Sequence, residues 1–195
     1  MKEFKILVLT IVLCLFTTQV EAQIHYGLKV GLNSTFAKSE LEQLEHDSKL
    51  GYQIGGIIKI DTKSKFHFNI EPTYTNNKFS STWSLTKTNI DLRYISVPVI
   101  ISYTLVPKLS AGIGPEIKIS TNSKKSNFDP IDMGIHGGIN FEAFKNISFS
   151  CSGFFGVKYN QEYSDFFNID VADILPGNGL YRLTSIALEM KYQLR

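Results

Sequence analysis

The feature that most constrains this chain is the run from Leu92 to Tyr103, which is rich in β-branched and aromatic residues. It is too short to cross a membrane as a helix. From Ile95 onward, apolar side chains alternate with small polar residues or proline. This period of two predicts a β-strand with one apolar face. Pro98 would normally place such a strand at a sheet edge, because proline cannot donate a ladder hydrogen bond.

Seven other segments repeat this two-faced pattern, at about residues 24–36, 52–61, 66–74, 109–119, 132–142, 147–160 and 185–194. Long polar stretches (37–49, 76–88, 121–130 and 161–179) alternate with short turns between them. The sequence therefore predicts an all-β fold: an eight-stranded antiparallel up-and-down transmembrane β-barrel with long extracellular loops and short periplasmic turns. The apolar phase shifts between Tyr94 and Ile95, which indicates a bulge or an extension of that strand beyond the membrane.

The first 22 residues have the anatomy of a secretory signal peptide. Lys2 and Lys5 precede an apolar run, and small residues lead to a cleavage point after Ala22. We expect residues 1–22 to be cleaved and residues 23–195 to form one barrel domain. Cys151 would then be the only cysteine, which excludes an internal disulfide. A net charge of +2 without basic runs argues against nucleic acid as a partner.

Alternation alone does not say whether the apolar face meets lipid or the dry interior of a soluble lipocalin-like barrel that binds a small ligand. Three features favour lipid. The apolar face carries no charge in any strand interior, the polar face is rich in glycine, and long loops and short turns lie at opposite ends. Aromatic residues on the apolar face also collect at both ends, as membrane interfaces require. They are Tyr26, Phe66, Phe68, Tyr103, Phe141, Phe149 and Tyr192 near the short turns, and Phe36, Tyr52, Tyr74 and Tyr159 near the long loops.

Several motifs resemble the PorT-like outer membrane protein beta-barrel domain family. They are the Ala22-Gln23 junction, the first strand from Gly27 to Asn33, the run from Tyr94 to Val99, and Gly112-Ile113-Gly114-Pro115. Ser96 departs from the family pattern, in which an acidic residue would be expected before Val97-Pro98. The resemblance implies an outer-membrane barrel of a Gram-negative envelope. The family namesake implies a role in supporting protein secretion, although fold transfers across such a family better than function.

The polar faces would converge in the barrel lumen and carry five lysines and five acids, joined by His67 and His136. We predict an ion-pair network that fills a lumen too narrow for a water channel. A polar conduit or proton relay is the alternative. The ten charged residues are Lys29, Lys59, Glu71, Glu116, Lys118, Asp132, Glu142, Lys158, Glu189 and Lys191.

Catalytic and metal signals are weak. His46-Asp47-Ser48 offers the residue types of a hydrolase, and a lipid-modifying outer-membrane hydrolase is an alternative function. Three adjacent residues rarely converge on one point, so no catalytic site is predicted. Asp165, Asp170 and Asp173 lack the spacing of a calcium loop. No metal or cofactor is expected.

The stretch 161–179 mixes apolar residues with acids, notably Tyr163, Phe166, Phe167 and Ile169. These side chains could dock on another envelope or secretion protein, or could fold over the barrel mouth as a lid. Trp83, within 79–85, would lie beside them. We therefore expect a monomer in outer-membrane lipid, without catalytic activity, that binds, supports secretion or has a structural role through its extracellular loops.

Overall fold

The structure is a computed structural model that describes residues 23–39, 45–62, 64–83, 86–122, 130–157, 160–161 and 180–194. For residues 39, 45, 46, 81–83, 86–88, 160, 161, 180 and 181 only the backbone is described. The predicted signal peptide and the predicted partner residues Tyr163, Phe166, Phe167 and Ile169 lie outside these ranges. No helix in the described ranges is long and apolar enough to cross a membrane.

Ten β-strands follow one another in the described chain: β1 (Gln23–Ser39), β2 (Glu45–Asp61), β3 (Phe66–Ile70), β4 (Thr73–Trp83), β5 (Thr86–Val106), β6 (Leu109–Ser120), β7 (Ile131–Phe144), β8 (Ile147–Gly156), β9 (Asn160–Gln161) and β10 (Leu180–Leu194). Neighbours pair antiparallel, and β1 pairs with both β2 and β10, so the sheet closes into a ring. β3 and β4 lie end to end between β2 and β5. β9 extends the pairing of β8 along β10. The wall is therefore the predicted eight-stranded up-and-down barrel.

The outer surface of this ring is apolar and the inner surface is polar. Ile113 and Leu188 on the outside are 62% and 67% exposed, whereas Lys29 and Glu189 on the inside are 2% and 3% exposed. A soluble lipocalin-like barrel requires the reverse, so that alternative is wrong. Aromatic rings meet near both ends of the wall. The Phe66 and Tyr103 ring centroids are 5.0 Å apart near the short turns, and those of Tyr52 and Tyr74 are 6.4 Å apart toward the long loops.

Pro98 does not make β5 an edge strand, because β5 is paired on both sides. The ladder tolerates it because the facing strand is interrupted at Glu71-Pro72, between β3 and β4. The backbone nitrogen of Glu71 donates to the carbonyl of Pro98 at 3.2 Å. Pro98 cannot return that bond, and the hydroxyl of Thr73 donates to the Glu71 carbonyl at 2.7 Å instead. The register on either side of the interruption is unchanged.

Two predicted loops are largely strand. The ladder between β4 and β5 continues without a register shift to Trp83 and Thr86, so the prediction of a long loop at 76–88 is wrong. β1 and β2 likewise extend into the stretch predicted as loop at 37–49. The phase shift at Tyr94 marks an extension and not a bulge: Ile90, Leu92 and Tyr94 all turn inward and are buried. Sequence patterning missed this because apolar residues there line the interior.

Candidate functional site

Four charged side chains form a closed group in the middle of the lumen. Lys29 Nζ lies 2.9 Å from Glu71 Oε2 and 3.5 Å from Glu189 Oε1. Lys191 Nζ lies 2.7 Å from Glu71 Oε1 and 3.3 Å from Glu189 Oε2. Each lysine thus contacts both carboxylates, and the group is neutral. Such pairing offsets the cost of taking charges out of water, which is several kcal/mol per ion. We call these four residues the central quartet.

Neighbouring groups fix the two carboxylates of the quartet. Glu189 accepts hydrogen bonds from Ser150 Oγ at 2.7 Å and Ser152 Oγ at 3.0 Å, and another from Gln53 Nε2. Gly31 makes room for this, since a Cβ there would lie 3.1 Å from Glu189 Cγ and 2.7 Å from the Leu188 carbonyl oxygen. Glu71 is held by the interruption between β3 and β4, where its backbone bonds to β5. Pro72 and Pro98, which interrupt the ladder at that point, therefore also position the Glu71 carboxylate.

A second charged group continues the lumen from the quartet. Glu116 Oε2 lies 2.8 Å from His136 Nδ1, and Glu116 Oε1 lies 3.7 Å from Lys118 Nζ. Asp132 is buried directly across the ladder from Lys118. The Lys118 ammonium also lies 3.4 Å from the centroid of the Phe154 ring, which is a cation–π contact. A void of about 20 Å³ remains between the two groups, which is room for about one water molecule.

Toward the long loops the interior becomes apolar. Phe79, Ile90, Leu92, Tyr94 and Leu183 form one buried cluster, and Ala37 packs against it. Phe79 and Ile90 face each other across the ladder between β4 and β5. Below the cluster, Asn33 Nδ2 donates to Asn77 Oδ1 at 3.0 Å, and both side chains are buried. We call the five clustered residues the apolar plug. Each such side chain contributes about 1.5–3 kcal/mol by leaving water.

Toward the short turns the lumen is open. A cavity of about 270 Å³ lies there, lined among others by His25, Lys59, His67, Glu142 and Lys191. We call it the vestibule. The predicted packing of the whole lumen is therefore wrong for this end. The lumen is filled where the four side chains of the quartet pair with one another, whereas the charged side chains that line the vestibule leave it open.

The Asp61 carboxylate at the vestibule rim contacts three basic side chains. Asp61 Oδ1 lies 2.6 Å from His67 Nδ1 and 2.9 Å from Lys59 Nζ, and Asp61 Oδ2 lies 3.4 Å from His25 Nε2. His67 Nε2 lies 2.8 Å from Thr104 Oγ1. A hydroxyl, an imidazole and a carboxylate thus lie in a row, but Asp61 Oδ1 and His67 Nδ1 form no hydrogen bond despite their proximity.

The predicted lumen residues divide between these groups. Lys29, Glu71, Glu189 and Lys191 meet in the quartet, and Glu116, Lys118 and Asp132 lie in the second group. Lys59 and Glu142 are at the vestibule instead; Glu142 is exposed and makes no ion pair with any described residue. Lys158 lies outside the described residues. Sequence reasoning overlooked the roles of His25, Asp61 and Phe154, whose only signal was the inward parity of their strands.

Other predicted sites are placed differently from expectation. Phe79, expected beside the partner loop, points inward and is fully buried in the plug; the Trp83 side chain is not described. Asp47 and Ser48 belong to β2, where successive side chains point to opposite faces, so these two do not converge; the His46 side chain is not described. Asp165, Asp170 and Asp173 lie outside the described residues. Within the described part of the chain, no three His, Cys, Asp or Glu side chains could hold a metal ion.

Known proteins support the fold. A family model described as "Outer membrane protein beta-barrel domain" matches residues 18–160. No curated protein matches the chain. The solved structure of Neisserial surface protein A is 13% identical, with 87% of this chain and 97% of that chain covered and a TM-score of 0.52. Outer membrane protein AlkL is 10% identical, with 89% and 91% covered and a TM-score of 0.54. OprG from Pseudomonas aeruginosa is 11% identical, with 89% and 95% covered and a TM-score of 0.47. At these identities the likeness to the first two structures concerns the fold alone.

Proposed function

Because the chain belongs to the outer membrane protein beta-barrel domain family, we propose that it is a non-conducting, non-catalytic barrel whose work is binding at the long-loop rim. Its location is the Gram-negative outer membrane. The observation that carries the proposal is the succession of two barriers in the lumen. The central quartet is neutral and closely paired, and the side chains of the apolar plug beyond it are buried. Ions and polar solutes would have to break the first barrier and enter the second without water.

The wall beyond the membrane supports a binding role. The hairpin of β4 and β5 is laddered as far as Trp83 and Thr86, and the plug fills its inner side. A filled, hydrogen-bonded hairpin is a rigid base for a loop that recognises a partner. The stretch 161–179 carries Phe166, Phe167 and Ile169 among acids, a composition that suits a segment that orders on another protein. The PorT-like resemblance favours an envelope or secretion protein as that partner.

Planar-bilayer recording on the refolded protein tests the closed lumen. We expect no stable conductance steps, since both barriers lie in series along one narrow interior. Conductance steps of porin size would refute a closed barrel. They would also refute the proposal that the protein acts only through its long-loop rim.

Photo-cross-linking in intact cells tests the rim. We expect a cross-linker at position 163 to capture an envelope protein, and the triple variant Phe166→Ser, Phe167→Ser, Ile169→Ser to lose that adduct while still assembling. The control variant replaces Lys124, Lys125 and Asn127 by Ser in another polar stretch and should keep it. A triple variant that fails to assemble would identify the stretch as a structural lid. An unchanged adduct would refute docking through these residues.

A further inference from the structure

Two pairs of like charges face each other across the ladder on the outer surface. Lys38 of β1 is directly opposite Arg182 of β10. Lys49 of β2 is directly opposite Lys78 of β4. Like charges directly opposite each other destabilise an antiparallel pair. Four adjacent barrel strands, β10, β1, β2 and β4, thus carry two unfavourable contacts.

The height of these pairs on the wall is defined by the outer aromatic residues. Lys38 follows Phe36 by two residues on the same outward face, so it lies roughly 7 Å farther along the strand and, at a tilt of about 45°, roughly 5 Å farther from the membrane centre. Lys78 follows Tyr74 on the outward face in the same way, at about twice that spacing. Aromatic belts mark the boundary between hydrocarbon and headgroups. The cationic groups therefore lie at the level of the lipid headgroups and just beyond.

The first pair has no compensating acid among the described residues. Its outward neighbours on the ladder are Phe36 and Thr184. The second pair is partly compensated: Asp91 is opposite Lys78, but it also contacts the Arg93 guanidinium at 3.4 Å. Asp47 lies two residues from Lys49, and Lys49 Nζ donates to Asn89 Oδ1. Among the side chains that the structure describes, the uncompensated charge is therefore greatest between β1 and β10.

We infer that the outward side chains of Lys38, Arg182, Lys49 and Lys78 form a binding surface for the phosphorylated glycolipid of the outer leaflet. A phosphate between Lys38 and Arg182 converts their repulsion into two charge-assisted hydrogen bonds. Three strand spacings separate β10 from β4, so the surface spans roughly 15 Å and can contact more than one phosphate. The aromatic side chains directly below would meet the acyl chains of the same lipid.

Lipid retention by the refolded full barrel tests the assignment. Diphosphoryl lipid A is titrated into the detergent-solubilised protein, and bound lipid is counted by native mass spectrometry. We expect wild type to retain it more strongly than monophosphoryl lipid A. The double variant Lys38→Gln, Arg182→Gln should weaken binding by roughly 30-fold, because each surface cation contributes about 1 kcal/mol to binding anionic lipid. Raising the salt concentration should reduce this difference.

A matched control removes two exposed lysines from the opposite rim, Lys65→Gln with Lys145→Gln, and should bind as wild type. Arg182→Glu separates recognition from folding: it should stabilise the barrel in phosphatidylcholine by facing Lys38, yet lose lipid A. Equal retention by the double variant and the control would overturn the inference, as would full retention by Arg182→Glu. Binding of a soluble anionic polysaccharide, with no retention of lipid A, would refute a lipid ligand.

Discussion

Lys29 and Glu71 are 42 positions apart, yet their charged atoms lie 2.9 Å apart and both side chains are 2% exposed. One projects from the first strand and the other from the interruption between β3 and β4. Only β2 lies between these two elements in the wall, and Gly55 of β2, directly opposite Lys29, has no side chain to separate them. A charge at this depth has neither bulk water nor a headgroup to solvate it, so each depends on the other and on Lys191 and Glu189.

Glu71→Gln should reduce the free energy of unfolding by about 3–5 kcal/mol, because the buried Lys29 and the half-buried Lys191 then share a single carboxylate. Urea unfolding of the protein refolded in liposomes measures the change. Glu142→Gln is the matched control, since Glu142 is exposed at the vestibule, and it should change stability by less than about 0.5 kcal/mol. Similar costs for the two variants would show that the quartet contributes little.

Thr73→Val should cost about 1–3 kcal/mol, because it leaves the buried Glu71 carbonyl without a donor. Pro98→Ala adds a backbone N–H at the position facing Glu71 and should recover part of that cost in the double variant. The double-mutant cycle in urea is the measurement. Additive effects of the two substitutions would mean that the Thr73 hydroxyl does not replace the missing ladder bond.

Phe79→Ala should destabilise the barrel by about 3–5 kcal/mol, as expected for removal of a fully buried ring from a packed interior. Phe149→Ala removes the same atoms from a lipid-facing ring that is 48% exposed, and it should cost clearly less. Thermal unfolding followed by gel mobility compares the two. A larger loss for Phe149→Ala would contradict the assignment of Phe79 to a plug.

Arginine on the outer face should impair insertion. Ile113→Arg and Ile139→Arg each place a charge on the lipid face, at a cost of about 2–4 kcal/mol near the bilayer midplane. The neighbouring variants Ser110→Arg and Asn140→Arg direct the charge into the vestibule and should assemble better. The fraction of heat-modifiable folded protein reports assembly. Equal yields from both sets would contradict the facing.

The wall of the barrel could be read from the sequence because it depends on local alternation. In β1 and β7 every predicted lipid-facing residue is exposed, since a strand with period two has no other way to separate its faces. The expectation that Pro98 marks an edge strand failed because it also rested on local sequence. The missing donor of Pro98 was correctly recognised, but the compensating interruption at Glu71-Pro72 lies elsewhere in the chain, between β3 and β4. A donor and its substitute so far apart in sequence cannot be matched from spacing.

The interior required the tertiary structure. Alternation determined by itself that Lys29, Glu71, Glu189 and Lys191 point into one lumen, and composition determined that the lumen is polar. Which lysine meets which carboxylate depends on ring closure and on the relative register of eight wall strands, and neither is encoded locally. Closure also decided that Phe79, Leu92 and Tyr94 form a plug. Inward and outward apolar residues repeat with the same period of two, so only the neighbouring strands determine which face is inside.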